Sequence, residues 1–403
     1  PSAKIQPGTY RNITGNTALA WGVVAAGVQM NRPVFLGAYP ITPASDVLHE
    51  VARYRHFGVK TFQAEDEIAA VSATIGAAFA GDLAITTTSG PGMVLKQEAL
   101  GLAVMTELPM VVVDIQRAGP STGMPTKIEQ GDLLLALHGR NGESPCPVLA
   151  AATPGDCFHT ILEAFRIAVD YMTPVIVLSD SYLANSAEPW MIPGVATLRR
   201  QEIELRTEAE GFQPYARDEE SLARPWAVPG TPGLEHRIGG LSKAEGSGNV
   251  SYDPKNNARM HELRHQKIAR IANDIPPTEV FGPDRGELLV VGWGSTRGTI
   301  EEAVSRLRAE GRSVSSLHLK FLQPLQPGLG EIMSRFRRVM TIETNWSDRP
   351  EDVVIDENNR RYSALAMLLR ARYLVDVDCW SQVRGAPIKP GTICRTVRER
   401  MDA

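Results

Sequence analysis

The sequence contains few cysteines and no long apolar run. Its four cysteines are far apart and form no CxxC pair, so neither a disulfide framework nor an iron–sulfur cluster held by this chain is expected. No window reaches the roughly 18 consecutive apolar residues of a membrane span, and the N-terminus has no signal-peptide pattern. A formal net charge of −4 gives no broad positive field for nucleic acid or an acidic membrane surface. The protein is therefore expected to be cytoplasmic and to bind neither.

Patterns for metal and dinucleotide sites are also missing. The histidines form no HExxH or HxH spacing; His261 and His265 share a predicted helical face, but no acidic third ligand accompanies them. The segment VVGWGSTRG has GxGxxxG rather than GxGxxG spacing, and the next strand ends in Lys320 and Phe321 instead of an acid for a ribose hydroxyl. No metal site and no NAD site are predicted.

The order of apolar and amphipathic segments indicates an α/β fold. To about residue 187, continuous apolar strands alternate with helices, which predicts a parallel sheet covered on both faces; one of these helices is expected to run without a break from Val94 to Glu107. Residues 188–280 are rich in proline, glycine and charge, and predict a long surface excursion closed by a helix. A second, smaller α/β unit is expected from Arg285 onward.

The segment GAYPITPAS follows a predicted strand. Proline fixes its own φ and restricts the residue before it, so Tyr39 and Thr42 are both restrained. A rigid loop beyond the carboxyl end of a strand is where open α/β sheets bind ligands. A stiff strand-to-helix turn explains the prolines equally well.

Three acids, Glu65, Asp66 and Glu67, precede a helix made almost entirely of small residues. Small residues allow close packing on a neighbouring backbone, and acids at a helix start complement the macrodipole. Helix chemistry does not explain why three carboxylates are crowded together, since like charges repel. A glutamate buried among them could share a proton with a ligand nitrogen.

Two further loops follow predicted strands. TTTSGPG has hydroxyls and glycines before a helix, but it lacks the lysine and spacing of a P-loop. DIQRAGPSTGMPTKIEQGDL places a guanidinium, hydroxyls and an amine between two prolines, a set suited to a dicarboxylic or 2-oxo-acid ligand; a solvated basic loop is the alternative. The residues concerned are Arg117, Ser121, Thr122, Thr126 and Lys127.

Taken together, these four motifs resemble the α subunits of 2-oxoacid:ferredoxin oxidoreductases, most of all those of 2-oxoglutarate type. The resemblance covers nearly the whole chain. It implies a pyrimidine-type thiamine diphosphate-binding domain of parallel-sheet α/β architecture over residues 1–230, a linker over 231–284 and a transketolase C-terminal-like α/β domain over 285–403. Many relatives carry an additional N-terminal domain of γ-subunit type, which is absent from this sequence.

The resemblance also implies roles for individual residues. The glutamate at the start of the small-residue helix pairs with N1′ of the thiamine aminopyrimidine; by position this is Glu67, with Glu65 as the second choice. Arg117 is implied as a further catalytic residue. The resemblance also implies two sets of contacts. The cofactor is contacted by Tyr39, Pro40, Ile41 and Glu67. The substrate is contacted by Thr42, Arg117, Thr122 and Thr126.

Further components are implied to lie on a second chain. In the family the diphosphate and Mg²⁺ bind a GDG-type motif of the β subunit, which also carries the [4Fe–4S] cluster; this sequence has neither GDG nor CxxC. The implied reaction is coenzyme A-dependent oxidative decarboxylation of 2-oxoglutarate to succinyl-CoA and CO₂, with electrons passed to ferredoxin. The expected assembly is an (αβ)₂ dimer of heterodimers, inactive without its β subunit.

Three alternatives remain open from the sequence. The substrate could be pyruvate or a branched-chain 2-oxo acid, because Arg117 would contact the carboxylate that all of them share. The chain could belong to an NAD- or lipoamide-linked thiamine enzyme, or it could be a non-catalytic scaffold subunit. The physiological direction, decarboxylation or CO₂ fixation, is also open.

Overall fold

The computed structural model describes residues 5–198 and 200–402. The strands are β1 Tyr10–Thr14, β2 Val34–Ala38, β3 Val59–Gln63, β4 Leu83–Thr88, β5 Met110–Gln116, β6 Val148–Ala150, β7 Pro174–Asp180, β8 Ala187–Met191, β9 Val280–Phe281, β10 Gly286–Trp293, β11 Val314–Leu319, β12 Phe321–Gln323, β13 Phe336–Glu343 and β14 Val377–Ser381. The α-helices are α1 Gly15–Gln29, α2 Ser45–Val51, α3 Glu67–Phe79, α4 Gly90–Leu95, α5 Gln97–Thr106, α6 Leu133–His138, α7 Asp156–Asp170, α8 Ser181–Asn185, α9 Pro254–Arg270, α10 Arg297–Ala309, α11 Leu329–Ser334, α12 Ala364–Tyr373 and α13 Pro390–Asp402.

The larger sheet has seven strands in the order β12-β6-β7-β5-β4-β2-β3. All neighbours are parallel except β12, which pairs antiparallel with β6. Every residue of β4, β5 and β7 is buried, as expected for central parallel strands covered on both faces. The chain passes from β2 outward to β3 and then back across β2 to β4. This reversal of direction makes β2 the switch point of the sheet.

The smaller sheet has five strands in the order β14-β13-β10-β11-β9, parallel except for β9. One of its faces packs on α10 and α13. The opposite face shares one hydrophobic core with the larger sheet, to which Val112 of β5 and Val291 of β10 both belong. Strand β12 comes from the second unit but extends the first sheet. The predicted α/β class with a second α/β unit is therefore present, and the two units are built around a common core.

The segment between the two units is largely irregular from residue 200 to 253, as the proline and glycine content predicts. Helix α9 follows it, capped by Asp253, whose carboxylate accepts from Lys255 N (3.2 Å) and Asn256 N (3.1 Å). Ile268 of α9 is buried in the core of the first unit, so this helix packs on that unit. The boundaries at 230 and 284 stay predictions. No helix in residues 5–198 and 200–402 is both long and apolar enough to cross a membrane.

Candidate active site

Four loops meet at the carboxyl edge of the larger sheet. They follow β2, β3, β4 and β5, which are adjacent strands, and they carry the four motifs singled out in the sequence. Since the carboxyl ends of parallel strands share one edge, the fold brings segments far apart in the chain into a single crevice beside the switch point at β2. This edge is the candidate active site.

The Tyr39–Pro43 loop is fixed from two sides. Asn16 on α1 is buried and donates from Nδ2 to Pro43 O at 2.9 Å, and Arg117 donates from Nη1 to Thr42 O at 2.8 Å. Tyr39, Pro40 and Thr42 are exposed at the edge. Two of the residues selected from the sequence, Thr42 and Arg117, therefore lie in direct contact, although the arginine binds the threonine backbone and not its hydroxyl. Asn16 gave no signal in the sequence.

The three acids before α3 have three different environments. Glu65 is exposed, and Asp66 is the N-cap of α3, with its Oδ1 accepting from Ala69 N at 2.7 Å. Glu67 is only 9% exposed. Among the described residues no group donates a hydrogen bond to the Glu67 carboxylate and no cation lies within ion-pair distance of it. The structure thus separates a solvated acid, a capping acid and a buried acid without a partner.

The close packing of α3 on the sheet accounts for the small side chains on its buried face, such as Ala70. A Cβ at Gly37 of β2 would lie 2.8 Å from Ala70 O, so the helix backbone approaches the strand directly. At the start of α3, Gly92 of α4 has the same role, since a Cβ there would lie 2.8 Å from Glu67 Cγ and against the Thr88 hydroxyl. The Glu67 side chain therefore packs directly against Gly92. A larger residue at position 92 would clash with it.

Lys96 is the buried cation of this region. Its side chain is fully buried, and its Nζ donates to the backbone oxygen of Glu67 at 2.8 Å. Burial lowers the pKa of Lys96 to about 8, against the opposing charges of Glu67 and Asp66. Lys96 lies at a break between α4 and α5, where the sequence predicted a continuous helix. That expectation was wrong, because the helix that begins at Gly90 ends one residue before Lys96.

A second buried feature, a pair of aspartates, lies near Gly90 at the start of α4. Asp114 on β5 is fully buried, and neither carboxylate oxygen has a donor among the described residues. Burial and the neighbouring Asp132 raise the pKa of Asp114 well above its usual range, and burial together with Glu129 raises the pKa of Asp132 to about 6. Asp132 in turn packs on Gly90, where a Cβ would meet its Oδ2 at 2.7 Å. Both shifts favour the protonated form within this buried pair.

The loop after β5 is clamped to the smaller sheet. Gln130 donates from Nε2 to Trp293 O at 2.9 Å and accepts from Thr344 N at 3.0 Å. Gly294, in the left-handed region at φ 59°, leaves room for this side chain, since a Cβ there would lie 2.5 Å from Gln130 Nε2. Gly294 of VVGWGSTRG therefore leaves room for a loop of the other unit. Thr122 and Thr126 are exposed, and no hydrogen bond joins their hydroxyls to Arg117 among the described residues.

The residues present fit one end of a thiamine cofactor. The Glu67 side chain is mostly buried at the edge of the crevice, and its carboxylate has no partner among the described residues, as suits a group that pairs with a ring nitrogen. In residues 5–198 and 200–402 no group of three or more His, Cys, Asp or Glu side chains is placed to hold a metal ion. The elements around Glu67 also expose large apolar side chains, namely Phe62, Ile68, Val94 and Leu95.

A family model described as the thiamine diphosphate-binding domain of pyruvate flavodoxin/ferredoxin oxidoreductases matches residues 26–252. The chain belongs to this family. The resemblance inferred from the four loop motifs is thereby confirmed.

Two relatives support membership of this family. The chain is 52% identical over 399 residues to the 2-oxoglutarate oxidoreductase subunit KorA of Mycobacterium tuberculosis, covering 99% of this chain and 58% of that protein. It is 34% identical to the 2-oxoglutarate synthase subunit KorA of Archaeoglobus fulgidus, covering 77% and 81% respectively. The chain thus spans little more than half of the first relative and most of the second.

Solved structures confirm the predicted fold class. A 2-oxoglutarate:ferredoxin oxidoreductase from Magnetococcus marinus, with 2-oxoglutarate, coenzyme A and succinyl-CoA bound, superposes with a TM-score of 0.89 at 33% identity, covering 99% of this chain and 67% of that one. A split-gene transketolase, an inactive β4 tetramer, aligns with 97% of this chain at a TM-score of 0.53 and 14% identity. The second match concerns the fold alone, and it agrees with the predicted transketolase-like architecture.

Proposed function

We propose that this chain is the α subunit of a 2-oxoglutarate:ferredoxin oxidoreductase. The reaction is the coenzyme A-dependent oxidative decarboxylation of 2-oxoglutarate to succinyl-CoA and CO₂, with ferredoxin as electron acceptor. The observation that carries the proposal is the buried, unpaired carboxylate of Glu67 at the switch point of the sheet. Bound thiamine diphosphate supplies the carbanion stabilisation that the decarboxylation needs, and Glu67 holds the proton at N1′ of its aminopyrimidine.

The Tyr39–Thr42 loop forms the wall beside the pyrimidine. Asn16 and Arg117 bind the backbone of this loop, so its position is set before a ligand arrives, and less ordering has to occur on binding. Arg117 uses one N–H on Thr42 O and keeps a buried Nε without a partner among the described residues. Its remaining donors are suited to a substrate carboxylate, with Thr122 and Thr126 as exposed hydroxyls in the same loop.

The β subunit of this proposal covers the crevice. It brings the diphosphate and Mg²⁺ site together with the [4Fe–4S] cluster, and two such heterodimers form the (αβ)₂ assembly. One feature of this chain supports a partner at this edge: apolar side chains around Glu67 are exposed, including Ile68 and Val94. Exposed apolar groups around a cleft are typical of surfaces that bind another protein.

The experiment is a matched pair of substitutions in the assembled αβ enzyme. Glu67→Gln keeps the shape of the side chain but removes the proton acceptor, so turnover of 2-oxoglutarate with coenzyme A and ferredoxin should fall by roughly 10²- to 10⁴-fold. Glu65→Gln alters an exposed acid two residues away and should leave turnover unchanged. Undiminished turnover in the Glu67 variant, with the cofactor bound, would overturn the proposal.

A further inference from the structure

Lys96 has no part in the function proposed so far, yet its burial needs a physical reason. Its side chain is fully buried, and taking an ammonium group out of water costs several kcal/mol unless other interactions compensate. The only hydrogen bond of its Nζ within the described residues is to Glu67 O at 2.8 Å. An apolar side chain of similar length would fill the same space without this cost.

One short segment holds Glu67 at two points. Gly92 packs against the Glu67 side chain, and Lys96, four residues later, binds the Glu67 backbone oxygen. Lys96 lies at the break between α4 and α5, and its side chain reaches the first residue of α3. The acids whose charges act on Lys96 are Glu67 and its neighbour Asp66. The carboxylate of Asp66 is already engaged with Ala69 N, which leaves Glu67 as the acid without a hydrogen-bond partner.

We propose that Lys96 is a positioning residue for Glu67, fixing the first residue of α3 through its backbone oxygen and partly offsetting the negative charge of its carboxylate with a buried positive charge. The inference rests on the proposed function, in which that carboxylate shares a proton with the aminopyrimidine. With the lysine in place, the negative charge of Glu67 is partly compensated, and the aminopyrimidine releases its N1′ proton at lower pH. Without the lysine, the uncompensated carboxylate holds that proton more tightly.

The test is a pH titration of the near-ultraviolet circular dichroism of thiamine diphosphate bound to the αβ enzyme, which follows protonation of the aminopyrimidine without turnover. Lys96→Met removes the charge and keeps the length of the side chain; its titration should move upward by about one pH unit, the lower end of the effect of a nearby opposite charge. Lys96→Arg retains the charge and should titrate close to wild type. Lys60→Met, at an exposed lysine on β3 that pairs with Asp82, serves as the neutralisation control and should not change the titration.

A Lys96→Met enzyme that binds the cofactor and titrates as wild type would overturn the inference. If that variant does not assemble, the titration is made on Lys96→Gln, which can still donate to a carbonyl but carries no charge; a wild-type titration there would overturn it equally. The proposed function fails in a different way, by full turnover of Glu67→Gln. Loss of turnover in Glu67→Gln together with an unshifted Lys96→Met titration would remove only the role of Lys96.

Discussion

Glu67 and Glu107 are both buried glutamates of the first unit, but they lie at opposite ends of its strands. Glu67 follows the carboxyl end of β3, and Glu107 precedes the amino end of β5. Glu107, 2% exposed and just before β5, forms an ion pair with Arg217 at 2.5 Å and another with the buried Lys267. Burial by itself would raise its pKa, but the charge of Lys267 and the hydrogen bond from Arg217 outweigh this effect and lower the pKa to about 2. Glu67 has no such partner among the described residues.

The difference separates an acid that holds the structure together from one that is available to a ligand. Arg217 comes from the irregular segment and Lys267 from α9, so Glu107 joins both to the first unit. A buried carboxylate that is fully paired is expected to stabilise the fold and to be chemically inert. One that is buried and unpaired costs stability, and such groups are concentrated at functional sites.

The largest expected effect on stability comes from breaking the pairs at Glu107. Glu107→Gln leaves Lys267 buried without its counter-charge, so the free energy of unfolding should fall by about 3–5 kcal/mol. Denaturant unfolding measures the change, with Glu67→Gln as the matched control, which should lose much less stability because it breaks no ion pair and no hydrogen bond among the described residues. Equal losses in the two variants would remove the distinction between the two acids.

A smaller effect is expected on substrate binding. Arg117→Ala removes a charge-assisted hydrogen bond to the substrate carboxylate, so the KM for 2-oxoglutarate should rise by the equivalent of about 2–3 kcal/mol, roughly 30- to 160-fold. Steady-state kinetics with 2-oxoglutarate and with pyruvate provide the measurement. An unchanged KM would place the substrate elsewhere, and an equal loss with pyruvate would indicate that Arg117 does not distinguish the two acids.

The smallest effect concerns the pH dependence of stability. The raised pKa of Asp114 means that the folded protein keeps a proton that the unfolded chain releases, so this group should make stability fall as pH rises from about 4 toward its folded pKa. Asp114→Asn replaces the protonated acid with a permanent donor to Asp132 and should flatten this fall. Unfolding measured between pH 4 and 7 compares the slopes, and an unchanged slope in the variant would exclude a shared proton.

The sequence predicted well those features that depend on neighbouring residues. The β–α alternation, the restrained prolines after β2 and the acid at the start of α3 all lie in short segments, and Glu67 could be selected from its position on a small-residue helix. Lys96, Asp114 and Glu107 could not be found in this way. Lys96 and Glu67 are 29 residues apart in the sequence, and Glu107 and Lys267 are 160 residues apart. Such contacts are determined by how the elements pack around the sheet.

For Thr122 and Thr126, the sequence identified the loop, but the structure shows no contact among its described residues that would support their roles. Their loop is attached to the smaller sheet through Gln130. Both threonines nevertheless remain exposed and do not contact Arg117 in the described chain. Their assignment to the substrate stays a prediction, because the side chains that would complete the crevice belong to another polypeptide in the proposed assembly.

The most direct measurement is a crystal structure of the αβ complex with thiamine diphosphate bound. A carboxylate oxygen of Glu67 should lie within about 2.6–3.2 Å of N1′ of the aminopyrimidine, the distance at which a proton can be shared. A pyrimidine ring bound away from α3, or a Glu67 side chain turned into solvent in that complex, would contradict the central claim.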